Sequence, residues 1–251
     1  LQKIVDKGTD GTGGSMENEL EHERIVRTYR QWSGGGALPR YERLRPDILR
    51  QSLDRSTSFG AMLRRTVGRD LAALRVLDVG CGTGGFLRQL IDWGASPANL
   101  TGTELLPERL DAARRNTAQG VHWHLGGLEH IPDGSADLIS AHTVFSSVLA
   151  DDARQALAAH MWRILRPGGW CMIFDFHYNN PRNRNVRRLT RAELDRLWPA
   201  RERHYRTVLL APPLARMLAK APHLVPETLA TLLPPLRSHF VFMARKDRAP
   251  P

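Results

Sequence analysis

Residues 74–85 read Leu-Arg-Val-Leu-Asp-Val-Gly-Cys-Gly-Thr-Gly-Gly. An apolar run closes on Asp78, a glycine-rich turn follows, and a helical pattern begins near Phe86. This order predicts strand, turn, helix. Glycine lets the backbone approach a ligand where a side chain would block it. The helix that follows aims its free N–H groups and positive dipole end at the same spot. Gly80, Gly82 and Gly85 also fit the dinucleotide spacing G-x-G-x-x-G. Asp78, two residues before Gly80, argues against that ligand, because its carboxylate would repel a pyrophosphate laid over the turn. The acid suits a ligand with an ammonium group and no phosphate.

S-adenosylmethionine is such a ligand, with an amine on its methionine end and a sulfonium as a second positive charge. Residues 76–84 closely resemble the first motif of class I S-adenosylmethionine-dependent methyltransferases: acid, alternating glycines and flanking apolar residues all match. The resemblance implies that Asp78, Gly80, Cys81, Gly82 and Gly84 hold the cofactor. Residues 99–104 form a short strand ending in Glu104, 26 residues beyond Asp78, the spacing of one βαβ unit. An acid at that strand end, with Leu105 beside it, reaches the ribose hydroxyls. Residues 126–132, Gly-Gly-Leu-Glu-His-Ile-Pro, resemble the family segment that recognises adenine through Leu128 and Glu129. Many members carry Asp where this chain has Gly127. The adenine amino group then needs another acceptor, Glu129 or a backbone carbonyl. The Leu-Arg-Pro-Gly-Gly turn at 165–169 is a further resemblance, and the likeness extends over about 71–176. With the Glu-His-x-Pro segment, it is closest to small-molecule methyltransferases of the ubiquinone-biosynthesis type. The resemblance implies an α/β, Rossmann-like, seven-stranded sheet with N-terminal helices and a C-terminal helical insertion.

The length of 251 residues fits one large α/β domain with an appendage, and 41% hydrophobic content supplies its core. Residues 1–15 read as a linker or expression scar, 16–73 as a helical cap, and 74–251 as the cofactor-binding core. The cap should hold helices over about 17–32 and 47–68. Core strands are predicted at 74–79, 99–104, 121–125, 136–142 and 170–176, and further strands at 204–210 and 238–244. Helices are predicted at 86–93, 107–116, 153–165 and 190–197, and a proline-interrupted helical insertion at about 211–233. No run is long enough to span a membrane, and no leader resembles a signal peptide. Cys81 and Cys171 both fall in core strands, so a reducing, cytoplasmic setting is expected.

The methyl donor is already activated, so the protein mainly positions the acceptor and, where needed, removes a proton. His142 and His177 stand at the ends of the fourth and fifth strands, and are the candidate bases; His142 also abuts the donor. Tyr29 is expected to cover the cofactor from the N-terminal helices. Tyr178 and Asn179 are candidates for orienting the acceptor. The formal charge is +10, and all of it resides after residue 175: fifteen Lys and Arg against five Asp and Glu. Nine of those arginines fall between 182 and 206. Arg182 and Arg184, nearest the fifth strand, are expected to hold an anionic acceptor through the planar guanidinium fork. No residue cluster has metal-ligand spacing, so no metal is implied. The chain lacks the Asn/Asp-Pro-Pro-Tyr motif of amino-methylating enzymes. The expected function is methyl transfer from S-adenosylmethionine to a small molecule, at oxygen, such as a natural-product or sugar intermediate. The alternatives are an RNA methyltransferase using the basic C-terminal region and a non-catalytic S-adenosylmethionine-binding domain.

Overall fold

The computed structural model describes residues 12–34, 44–181, 183–222 and 224–247. One sheet holds β1 (Val76–Val79), β2 (Leu100–Glu104), β3 (His122–Leu125), β4 (Ala136–His142), β5 (Leu165–Phe176), β6 (Arg203–Leu210) and β7 (Arg237–Arg245). Their order is β3-β2-β1-β4-β5-β7-β6. The first five run parallel, and β7 inserts antiparallel between β5 and β6. This is the expected Rossmann-like seven-stranded sheet with its antiparallel last strand. The central strands are apolar on both faces because helices cover both. Leu77, Ile139, Ile173 and Phe242 pack into one core layer. Their neighbours Val76, Leu138, Met172 and Val241 pack into the other. The period-two alternation of strand side chains divides the two layers.

The helices are α1 (Thr12–Gly34), α2 (Pro46–Thr66), α3 (Gly85–Asp92), α4 (Pro107–Asn116), α5 (Asp151–Ile164), α6 (Arg191–Leu197), α7 (Pro212–Met217) and α8 (Leu224–Leu232). The helix expected from residue 17 begins at Thr12; residues 1–11 of the expected linker lie outside the described residues. The insertion is helical as expected and breaks between α7 and α8, at Pro222. Among the described residues no helix is long and apolar enough to cross a membrane. Thr190 Oγ1 caps α6 by accepting from the Glu193 N–H at 3.2 Å.

The Pro-Gly-Gly turn differs from expectation, because it lies inside β5 as a bulge. Pairing with β4 jumps from Ala136↔Leu165 to Leu138↔Trp170, so two steps on one strand oppose five on the other. Gly168, at φ +78°, allows the reversal. Lys246 Nζ donates to the Trp162 and Leu165 carbonyls (2.5 and 2.6 Å), satisfying the C-terminal end of α5 beside the bulge.

Arg154 on α5 is 1% exposed and joins three segments. It donates to the Val148 and Arg187 carbonyls (2.6 and 2.9 Å) and to Glu193 Oε1 (2.7 Å). Arg154→Ala strands those acceptors and leaves the largely buried Glu193 carboxylate with the longer Arg187 ion pair at 3.5 Å. The expected loss is about 3–5 kcal/mol of stability, measured by urea denaturation.

Candidate active site

The sheet order reverses beside β1, where β2 leaves to one side and β4 to the other. A crevice at the carboxyl ends of the strands follows from that reversal. A cavity of about 480 Å³ lies there, within the usual range for small-molecule sites.

The glycine turn forms one wall. Gly80, Gly82 and Gly84 have φ of +63°, +57° and +77°, which other residues adopt only under strain. A Cβ on Gly82 would meet nothing, so this backbone faces open space in the cavity. Gly80, Cys81 and Gly82 line the cavity. Gly84 does not, and a Cβ there would press on Thr117 Oγ1 and Trp123 at 3.0 Å. Its glycine serves the turn and the packing behind it.

Glu104 lines the same wall and is held by the backbone. Oε2 accepts from the Gly82 N–H at 2.9 Å, and Oε1 from the Leu105 and Leu106 N–H groups at 2.9 and 3.1 Å. Asp78 is buried and accepts one hydrogen bond from the Ser140 hydroxyl at 2.7 Å. Burial pushes its carboxyl up to about 7; the Ser140 bond lowers it, and the Glu104 charge raises it. Leu105, Leu128 and Glu129 complete the wall. A Cβ on Gly127 would lie 2.6 and 2.7 Å from the Glu129 carboxylate oxygens. The Glu129 carboxylate therefore occupies the space that a side chain at 127 would need.

Tyr29 lines the cavity from α1, with its hydroxyl 2.9 Å from Ser147 Oγ and the Arg109 guanidinium 4.4 Å from its ring centre. Glu21 Oε1 fastens the same helix by accepting from the Leu149 N–H at 2.5 Å. His142 ends β4 in the cavity, between Phe86 and Phe59 with ring centres at 4.3 and 4.9 Å. Its Nε2 is buried without a partner among the described residues. Burial, aided by the Arg55 charge, lowers its pKa to about 3. The next residue, Thr143, takes φ +55°, a strained conformation at the cavity edge. His142 is thus held neutral, with weak affinity for the proton a base must take.

The loop after β5 departs from expectation. Antiparallel β7 draws it away: the His177 N–H donates to Ser238 O at 3.2 Å, and its Nε2 lies 2.8 Å from Arg237 O. The Tyr178 hydroxyl donates to Pro235 O at 3.2 Å, and Asn179 Oδ1 accepts from the Arg188 N–H at 2.8 Å. None of these three lines the cavity, nor does the exposed Arg184; Arg182 lies outside the described residues. Much of the arginine run is engaged internally. Arg187 pairs with Asp151 at 2.5 Å, Arg203 with Asp195 at 2.8 Å, and Arg191 stacks over Tyr205. The wall facing the donor residues comes from segments that carry no motif: His22 and Ile25 of α1, Ser52, Arg55 and Phe59 of α2, and Leu157 and His160 of α5.

Residues 76–169 match the family model described as a methyltransferase domain. The O-methyltransferase cnsE of Penicillium expansum is 33% identical over 130 residues, covering 49% of this chain and 46% of that protein. The malonyl-[acyl-carrier protein] O-methyltransferase of Enterobacter lignolyticus is 33% identical over 137 residues, covering 54% and 48%. The chain thus spans about half the length of these curated relatives. In structure it resembles the 1,6-didemethyltoxoflavin-N1-methyltransferase of Burkholderia thailandensis, with TM-score 0.59 and 20% identity over 97% of this chain and 93% of that one. The family match thus covers the strands and turns that build the cavity wall, and the similar Burkholderia protein holds S-adenosylhomocysteine, the demethylated form of S-adenosylmethionine. The residues present fit it: a glycine cradle open to the cavity, and two carboxylates on the same wall.

The raised Asp78 pKa carries a stability cost with a definite sign. The unfolded carboxyl titrates near 3.9, so between there and about 7 the folded state binds the extra proton. The cost is absent at low pH, grows as pH rises, and is complete above 7. Asp78→Asn should therefore stabilise the ligand-free protein at pH 8, by up to about 4 kcal/mol, with the gain vanishing toward pH 4. The same variant should bind S-adenosylhomocysteine more weakly. Thermal melts across pH and calorimetry measure the two effects.

Glu129 generates a second expectation. Gly127→Asp sets one carboxylate against another and should weaken S-adenosylhomocysteine binding about tenfold or more. Adding Glu129→Ala should restore most of the affinity, because the space and the acceptor then belong to residue 127. Calorimetry on both single variants and the double variant reads the non-additivity.

Proposed function

We propose that the chain transfers a methyl group from S-adenosylmethionine to a small molecule, at oxygen. One observation carries the reading. The glycine-and-carboxylate wall and a chamber of Phe59, Phe86, His142 and Arg55 open into one cavity, so a donor and an acceptor fit side by side. Two relatives whose names describe O-methyltransferases support oxygen as the acceptor atom. When bound, the cofactor supplies a methyl group activated by the sulfonium.

The chain's own residues hold and exclude. Asp78, Glu104, Leu128 and Glu129 hold the donor, with Gly80, Cys81 and Gly82 giving it room. Tyr29 and α1 close over it and keep water out. Phe59 and Phe86 present an apolar surface to the acceptor. His142, neutral at physiological pH, packs against the Phe59 and Phe86 rings and fixes the shape of the acceptor chamber. Turnover then rests on positioning, and an acceptor hydroxyl of low pKa sheds its proton to solvent. The acceptor contacts expected of Arg184, Tyr178 and Asn179 pass to α1, α2 and α5, whose side chains line the cavity.

The test is incubation with methyl-labelled S-adenosylmethionine and a panel of small phenols and enols. A labelled ether and S-adenosylhomocysteine are the expected products, and consumption of the donor without an ether would remove the oxygen assignment. With the best acceptor, His142→Ala should lower kcat at least tenfold with little change in donor affinity. His177→Ala should leave kcat within about twofold of the parent, given its place outside the cavity. The kcat profile should show no inflection near pH 6.5 from either histidine.

A further inference from the structure

Ser52, Arg55, Ser56 and Phe59 recur at three- and four-residue intervals, so α2 presents them on one face. All four line the cavity. Ser56 and Phe59 are fixed: Ser56 Oγ accepts from Gln89 Nε2 of α3 at 2.5 Å, and Phe59 packs edge-on against Phe86 and Phe174. Arg55 differs from them. It is water-accessible through the cavity yet hemmed in by protein, and desolvation alone lowers its pKa. Among the described residues it has no hydrogen bond or ion pair. Carboxylates nearby are otherwise engaged: Asp78 by Ser140, Glu104 by three backbone amides, and Glu21 by Arg24 and Leu149. A partly desolvated guanidinium without a counter-ion favours binding an anion, and its planar fork suits a carboxylate or phosphate.

Its position says which molecule brings that anion. The Arg55 charge is felt by His142 at the end of β4 and by His239 on β7. In the sheet order those strands flank β5, on the side of β1 away from β2. Glu104, which holds the glycine turn, ends β2 on the opposite side. The Phe59 and Phe86 rings pack against His142 at the end of β4.

We propose that Arg55 selects the acceptor, binding a carboxylate or phosphate carried on a flat, apolar body that rests on Phe59 and Phe86. This rests on the methyltransferase reading above and assigns the substrate class of that site. The experiment is calorimetry on the protein loaded with S-adenosylhomocysteine. The probes are matched phenols, each prepared as a carboxylate, a phosphate monoester and a neutral methyl ester. At least one anionic series should bind about ten- to a hundredfold more tightly than its neutral match. Arg55→Gln should erase that preference and Arg55→Lys should keep part of it, both with unchanged S-adenosylhomocysteine affinity and an unchanged melting transition. Absence of any anionic preference in the parent overturns the proposal. So does a fall in S-adenosylhomocysteine affinity in Arg55→Gln with the preference intact, because Arg55 would then hold the donor's own carboxylate. Both outcomes leave the methyltransferase reading standing. A parent protein that does not bind S-adenosylhomocysteine at all overturns that reading, and this proposal with it.

Discussion

The Glu104 carboxylate is the interaction on which the site depends. Two chain reversals, one after β1 and one after β2, must meet at the carboxyl edge of the sheet. Each exposes backbone N–H groups that no helix or strand satisfies. Glu104 takes one N–H from the first reversal and two from the second. Its charge strengthens all three bonds. The glycine turn is thereby held in its left-handed conformations before any ligand arrives, and the carboxylate itself is fixed in direction. A ligand meeting this wall finds it preorganised, which lowers the ordering cost of binding.

The cavity departs from the rule that buried polar groups find partners. Asp78 has one hydroxyl for company and the Nε2 of His142 has none among the described residues, while Arg55, exposed to the cavity, lacks a counter-ion there. Outside it Arg154 is fully engaged by carbonyls and a carboxylate, while Trp198 Nε1 is also buried without a partner among the described residues. What distinguishes the cavity is that its short-partnered groups, Asp78 and His142, line one space large enough for a ligand.

The donor side was legible in the sequence because its geometry is local. Glycines at 80, 82 and 84 and an acid at each strand end describe a backbone path, and the path follows within a few residues. Even the missing acid at 127 was readable as a question, and the structure places the Glu129 carboxylate in the space beside it. The opposite wall of the cavity was not legible. It is assembled from α1, α2 and α5, whose cavity residues are ordinary helical side chains until packing brings them together. His177 and its loop looked well placed because β5 ends beside the site. The antiparallel hydrogen bonds of β7, about sixty residues away in sequence, turn that loop elsewhere. The arginine run looked like an anion site, yet much of it ties α5, α6 and β6 together. Composition reports charge, and only tertiary contacts report where it is neutralised.

The attachment of α1 sets how molecules enter and leave. Among its described side chains Ile25 is the single buried apolar one; the rest of its hold is polar, through Glu21, Arg24 and Tyr29 onto residues 147–149. A helix held mainly by hydrogen bonds at an exposed edge detaches at far lower free energy than a core strand. Opening on this side would leave the sheet undisturbed. The rate of admission and release becomes a property of a few polar contacts, adjustable by substitutions that leave the chemistry of the cavity intact.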